Sequence, residues 1–342
     1  MIGRIDYIRA LITVLALLVM PLQAAEVDSF TERHALRDSA PLLNQVVNVW
    51  MEEAVIAANQ SSLIDDITAS NPPGCSEDRL MASLKDRLAA YLVGQLESFA
   101  NESTALDTIN TPFEKSIYRD LDFTDSPTFS LTQRLAVLLR IGDSYLGSDK
   151  LGHFFTEGHT YYERYLSDGE QSALLYGKLT ESTFYGELAT GIFSFADLAA
   201  NLNGLRFWNL VLAHKPDPIT REQKLTPYIV CDAGKWKRQR AFDWNDYVDS
   251  AWDEVINCNA YRDVALLNKV QARIHQASGG KSCPLQTVDK RLLEQKYGRL
   301  LPAVFNRQGP RVLQSFNRSL QQYWQEIVRK LDLAADQLRP LL

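Results

Sequence analysis

Gly147-Ser148-Asp149-Lys150-Leu151-Gly152-His153-Phe154-Phe155-Thr156-Glu157 is the stretch on which the architecture turns. Read as a helix opening at Ser148, it sets Asp149, His153 and Glu157 at i, i+4 and i+8, stacked along one face. Ser148 is a natural N-cap, and Asp149 then lies in the first turn, where the helix dipole favours an anion by about 0.3–1 kcal/mol. Capping therefore accounts for Asp149 without any chemistry. It does not account for His153, which stands at the edge of an apolar face built from Leu151, Phe154 and Phe155. His159 and Glu163 form a second i, i+4 pair beyond Gly158.

Outward from this stretch, helical periodicity dominates. Leu42, Leu43, Val46, Val47, Trp50 and Met51 recur on one face of residues 40–58. Ser76-Glu77-Asp78 opens a segment to Phe99 in which Leu80, Leu84, Leu88, Leu92 and Leu96 repeat every four residues. Residues 100–128, rich in polar residues and broken by Pro112 and Pro127, read as a loop. Helical patterns resume over 131–140, 148–165, 169–183, 194–211 and 243–261, and another ends at Gly279-Gly280. A final apolar stripe runs through Val312, Phe316, Leu320, Tyr323, Trp324, Ile327 and Leu331. Only residues 226–231 read as a short strand. The expected fold is all-α, a single large helical domain stapled by disulfides, with core motifs in 130–211 and a C-terminal helical part in 240–342.

Residues 1–25 read as a signal peptide: Arg4 and Arg9 precede the uncharged apolar run Ala10–Met20, then Pro21 and the small pair Ala24-Ala25. The run is short for a membrane span. The exported part, 26–342, is then expected in the periplasm or secreted, with no lipid-anchor cysteine. Removing two arginines and one aspartate moves the formal charge from −6 to −7, which argues against nucleic-acid binding. The four cysteines predict two disulfides, read as a local Cys231–Cys258 bridge and a long-range Cys75–Cys283 tie.

A second chemical stretch spans Tyr185–Gly204 and includes Glu187, Ser194, Asp197 and Asn201. Ser194 and Asp197 match a capping box, a structural role. Asn201 lies one turn beyond Asp197, and Ala199, Ala200 and Gly204 would let another helix approach closely. If the two helices pack together, Asp149, His153, Glu157, Glu187, Asp197 and Asn201 converge. Such a set suits zinc or another divalent ion, and equally a metal-free polar cluster. Asp149-Lys150-x-x-His153-Phe154 followed by Ser194-x-x-Asp197-x-x-x-Asn201-x-x-Gly204 resembles the signature of an uncharacterised family of bacterial periplasmic proteins and lipoproteins. That resemblance implies export and a shared helical core rather than an activity. The chain departs from it in lacking a lipid-anchor cysteine and in its long flanking regions.

Asp243–Glu254 carries acids that read as a solvated helix face, and it lacks the glycine and terminal glutamate of a calcium loop. Upstream, Lys235, Lys237, Arg238 and Arg240 surround Trp236 and suit contact with a membrane surface. No nucleophile elbow, zinc-protease helix, P-loop or dinucleotide fingerprint occurs. Two functions follow. The favoured one is a non-catalytic helical protein of the cell envelope, its polar residues fixing helix packing. The alternative is a metal-dependent hydrolase of an envelope lipid, glycan or phosphoester. There Asp149, His153, Glu157, Asp197 and Asn201 are candidate ligands, Glu187 is a water-activating carboxylate, and Lys150 stabilises developing negative charge.

Overall fold

The computed structural model describes residues 26–65, 74–89, 94–182, 186 and 189–313. The expected signal peptide, Glu187 and most of the C-terminal apolar stripe lie outside the described residues. In chain order the helices are α1 (Ala40–Asp65), α2 (Glu77–Leu88), α3 (Gln95–Glu102) and α4 (Pro127–Thr132). The hairpin β1 (Leu138–Ile141) and β2 (Ser144–Gly147) feeds α5 (Asp149–Gly152), a π-helical turn (His153–Glu157), and α6 (Gly158–Asp168). Next come α7 (Glu170–Glu181), β3 (Ile192–Phe193), α8 (Phe195–Leu212), β4 (Ile229–Asp232) and β5 (Lys235–Arg238). The described chain closes with β6 (Ala260–Tyr261), α9 (Val264–Ala277), α10 (Lys290–Tyr297), α11 (Leu301–Val304) and β7 (Arg311–Val312).

The all-α expectation is corrected: among the described residues seven strands form three small sheets, so the fold is mixed α and β. β1 and β2 pair antiparallel, Leu138 opposite Gly147 and Ile141 opposite Ser144, across a turn in which Gly142 has φ 57°. The apolar run Leu135–Leu139 fits a helix and a buried strand equally well by periodicity, and Gly142-Asp143 decides for the hairpin. β4 and β5 pair across Ala233 and Gly234, both at positive φ as a tight hairpin turn requires. β6 pairs antiparallel with β3 and parallel with β7.

The helix expected over 243–261 is also absent. Three aspartates there cap their own backbone: Asp243 accepts from Asn245 N, Asp249 from Ala251 N, and Asp253 from Val255 N. These local bonds compete with a continuous helix, and the segment breaks into the single 3₁₀ turns Trp244–Asp246 and Ser250–Trp252. Its acids do not all face solvent, because Asp253 and Glu254 are each 1% exposed.

The bridges are Cys75–Cys231 and Cys258–Cys283, not the expected pairs. The β4–β5 hairpin seats Trp236 against α1 and the start of α2, its backbone N–H on Asn59 Oδ1 at 2.9 Å and its indole N–H on Ser76 O at 3.3 Å. That docking carries Cys231 to Cys75. Cys283 instead packs on the Glu254–Val255 backbone, next to Cys258. Two disulfides fit an oxidising compartment. No helix of the described residues is long and apolar enough to cross a membrane.

At the centre lies α8, buried on every side. It crosses α6 so closely that a Cβ on Gly204 would stand 1.9 Å from the Phe154 carbonyl oxygen, and one on Gly158 2.6 Å from Gly204 Cα. Phe154, Phe155, Phe207, Phe242, Trp244 and Tyr247 pack around this crossing, mostly edge to face.

Candidate functional site

Lys150 organises the polar centre. Its side chain has no solvent exposure, and its Nζ lies 2.6 Å from Asp149 Oδ2, 2.6 Å from Asp197 Oδ1 and 2.7 Å from Glu254 Oε1. Three acceptors match the three protons of an ammonium. Burial alone would lower the lysine's pKa. The three carboxylates more than offset this and leave it well above the ordinary 10.5. A group so clamped is a fixed interior cation rather than a free one turned toward substrate.

The α5 entry differs from the expected cap. Ser148 is itself helical, and its hydroxyl donates to Asn101 Oδ1 at 2.7 Å instead of closing the helix start. Asp149 turns to Lys150. Beyond Gly152 the chain opens into the π turn, where Gly158 N–H reaches back to the His153 carbonyl. The same N–H also reaches the Phe155 carbonyl, which accepts in addition from the Trp208 indole at 2.9 Å. The wider turn takes Glu157 off the line below His153 on which helical spacing would set it.

His153 Nε2 lies 3.1 Å from Asp197 Oδ2, and Nδ1 lies 3.1 Å from the Asn201 amide. Burial would lower the imidazole; the Asp197 carboxylate overrides it and raises the group from 6.5 to about 10. Burial likewise would raise Asp197, but His153 and Lys150 hold it well below the usual carboxylate range. The Asn201 amide has two orientations with different meanings. With Nδ2 toward the ring it donates to the His153 and Asp197 carbonyls, at 3.2 and 3.3 Å, and to Nδ1, which requires a neutral ring protonated at Nε2. With Oδ1 toward the ring it accepts from Nδ1–H, which suits the imidazolium or leaves Nε2 free for an ion. The two backbone carbonyls favour the first orientation, and the Asp197 carboxylate beside Nε2 favours the second.

Asp197 also departs from its capping-box role. Its backbone N–H donates to Ser194 Oγ at 3.2 Å, so the serine does cap α8. The reciprocal bond is missing: Ser194 N–H goes to Glu181 Oε1 at 2.8 Å, and the Asp197 carboxylate instead meets Lys150, His153 and the Ser194 hydroxyl, which donates to Oδ1 at 2.9 Å. Sequence reasoning missed Glu26, Glu97, Glu181 and Glu254, all buried around the same centre. Burial, followed by repulsion from Asp197, raises Glu181 to about 8. Burial, followed by repulsion from Asp149, raises Glu97 to about 8. Burial also lifts Glu254 to about 7, against the pull of Lys150. Six buried carboxyl groups thus share two cationic side chains.

Of the expected site residues, Asp149, His153 and Asp197 come together, each offering one ligand atom within 4.8 Å of the others. Lys150 takes one oxygen of each aspartate. The second oxygen of Asp149, Oδ1, is buried with no hydrogen-bond partner. Asn201 stands behind the imidazole, at the ring nitrogen away from Asp197. Glu157 is buried but is no member of that three-residue set.

The basic run of β5 is largely committed within the protein. Arg238 donates to the Asn48 carbonyl at 2.8 Å, Lys237 pairs with Asp232 at 2.6 Å, and Arg240 stacks 4.0 Å from the Tyr228 ring. Lys235 is exposed. No family model, curated protein or solved structure matches the chain.

Proposed function

We propose that this is an exported protein whose centre binds a divalent cation such as zinc through Asp149, His153 and Asp197. The observation that carries the reading is that Asp149, His153 and Asp197 each bring one ligand atom within 4.8 Å of the others, in a centre where Asp149 also has a buried oxygen, Oδ1, without a hydrogen-bond partner. Leaving such an oxygen unpaired costs more than an ordinary hydrogen bond gains, and a metal ion removes that cost. The surplus of carboxyl groups favours the same occupant. In this arrangement Lys150 acts from outside the ligand set, holding one oxygen of each aspartate and so fixing both carboxylates, as outer partners do around metal ligands.

A purely structural network explains Lys150 but leaves the unpaired oxygen and the acid surplus without a role. Two disulfides and the signal-like leader support export.

Zinc stoichiometry of the purified protein, by elemental analysis after dialysis, tests the reading. One zinc per chain is expected in the wild type and none in His153→Ala, with both proteins folded by circular dichroism. A wild type free of metal, or a variant that keeps it, overturns the proposal.

A further inference from the structure

We infer that leader removal after Ala25 leaves a free α-amino group on Glu26 that the fold holds inside, as the ion-pair partner of Glu26's own buried carboxyl. Cutting then completes the interior as well as releasing the protein. This rests on the export reading above and holds with or without a cation in the centre.

A terminus made by cutting is ordinarily a loose end in water unless the fold ties it down. This one is tied down from its first residue. Glu26, Val27, Asp28, Ser29 and Phe30, which directly follow the expected cut, are all buried. The Val27 carbonyl accepts from the Tyr118 hydroxyl at 3.2 Å. The Asp28 carboxylate accepts from the Phe30, Thr31 and Ile117 N–H groups at 2.9, 3.0 and 2.9 Å.

Glu26 itself is gripped twice. Its carbonyl accepts from Ala136 N–H at 3.1 Å, and its Oε1 accepts from the Thr190 hydroxyl at 2.9 Å. Ala136 leads into the β1–β2 hairpin that feeds α5, and Thr190 leads into β3 and the cap of α8. The first residue after the cut therefore pins together the two stretches that meet at Lys150. Its α-nitrogen, joined through Cα to both gripped groups, is held in the same wall. The remaining carboxyl oxygen, Oε2, is buried and has no hydrogen-bond partner. Nitrogen and Oε2 belong to one residue, so pairing them needs no movement of the backbone.

In the uncut chain that nitrogen is an uncharged amide, and burial pushes the Glu26 carboxyl well above its ordinary 4.5, keeping it a neutral acid. Hydrolysis of the Ala25–Glu26 peptide bond consumes one water: the Ala25 carbonyl carbon takes the hydroxyl, and the Glu26 nitrogen takes the hydrogen. The new amine then accepts the proton of the Glu26 carboxyl. An ion pair replaces a buried oxygen that, left unpaired, costs more than an ordinary hydrogen bond gains.

The test begins with the full-length chain exported by a bacterial host, whose intact mass should place the first residue at Glu26. Retention of residues 1–25 overturns the leader and this inference together. A cut at another bond overturns the inference and leaves export standing. In the folded Glu26-first protein, acetylation of the α-amine near neutral pH should run at least about 10-fold slower than in urea, since one pKa unit is tenfold in reactive amine. Equal rates overturn the buried terminus. Melting temperature then separates an ion pair from burial alone. Glu26→Ala should lower it more in the chain that starts at residue 26 than in one that keeps Ala24-Ala25 ahead of it; an equal drop in both overturns the pairing. The acetylation arm needs no substitution, so it stands even where Glu26→Ala fails to fold.

Discussion

Lys150 is a lysine no water touches, and its three partners set how the whole centre responds to pH. Glu97 and Glu181 rise from an ordinary 4.5 to about 8, Glu254 from 4.5 to about 7, and His153 from 6.5 to about 10. Each binds its proton more tightly in the folded state. Each therefore stabilises most fully below its unfolded value and loses that contribution as pH climbs through the folded one. The carboxyls fade between 4.5 and 8, the imidazole between 6.5 and 10. Asp197 has the opposite sign, contributing above 3.8 and losing its part in acid. The metal-free protein is then most stable near about pH 5, and its melting temperature in a chelator falls steadily toward alkaline pH. A melting temperature that holds level or climbs from neutral to alkaline pH contradicts the charge assignment. At this scale the sequence was half legible. Asp149, His153 and Asp197 announce themselves by spacing, each one helical turn from another polar group. Glu97 and Glu181 are single acids within apolar-striped helices, Glu254 ends a run of acids that reads as a solvated face, and only tertiary packing turns the three inward.

Between elements, the decisive contact is the crossing of α6 and α8. Gly204 has no room for a methyl group, since a Cβ would meet the rigid Phe154 carbonyl at 1.9 Å. Gly204→Ala must push α8 away from the π turn, at a cost of about 1–3 kcal/mol or more, read from the shift of a urea unfolding midpoint. A shift below about 0.5 kcal/mol, the scatter of ordinary surface substitutions, would mean the crossing is looser than the structure has it. The small residues of α8 were readable as permission for close packing. The π turn was not, because nothing in Gly152–Gly158 distinguishes it from ordinary helix until Trp208 arrives to take the Phe155 carbonyl. Nor was the break-up of 243–261, where apolar spacing of Val248, Trp252 and Val255 imitates a helix while the aspartates bond their own backbone.

Across the molecule, the two disulfides close loops of different reach, with sequence separations of 156 and 25. The first joins the β4–β5 hairpin to the start of α2 and touches none of the residues around Lys150 that are described above. The second holds Cys283 against the Glu254 carbonyl, 3.4 Å away, and so fixes the backbone that delivers one of the three carboxylates to Lys150. Their pairing was hidden because nearness along the chain says little about which segments dock. Replacing Cys258 and Cys283 by serine should weaken zinc binding by about 10–100-fold, the usual effect of losing an outer support of a metal site. The Cys75/Cys231 double serine variant should bind as the wild type does. Equal zinc affinity in all three proteins, by competition with a chromogenic chelator, would uncouple the bridge from the centre. On that prediction the 258–283 bridge links maturation to binding: a newly made chain held under reducing conditions should carry every ligand yet bind zinc about 10–100-fold more weakly until Cys258 and Cys283 are joined.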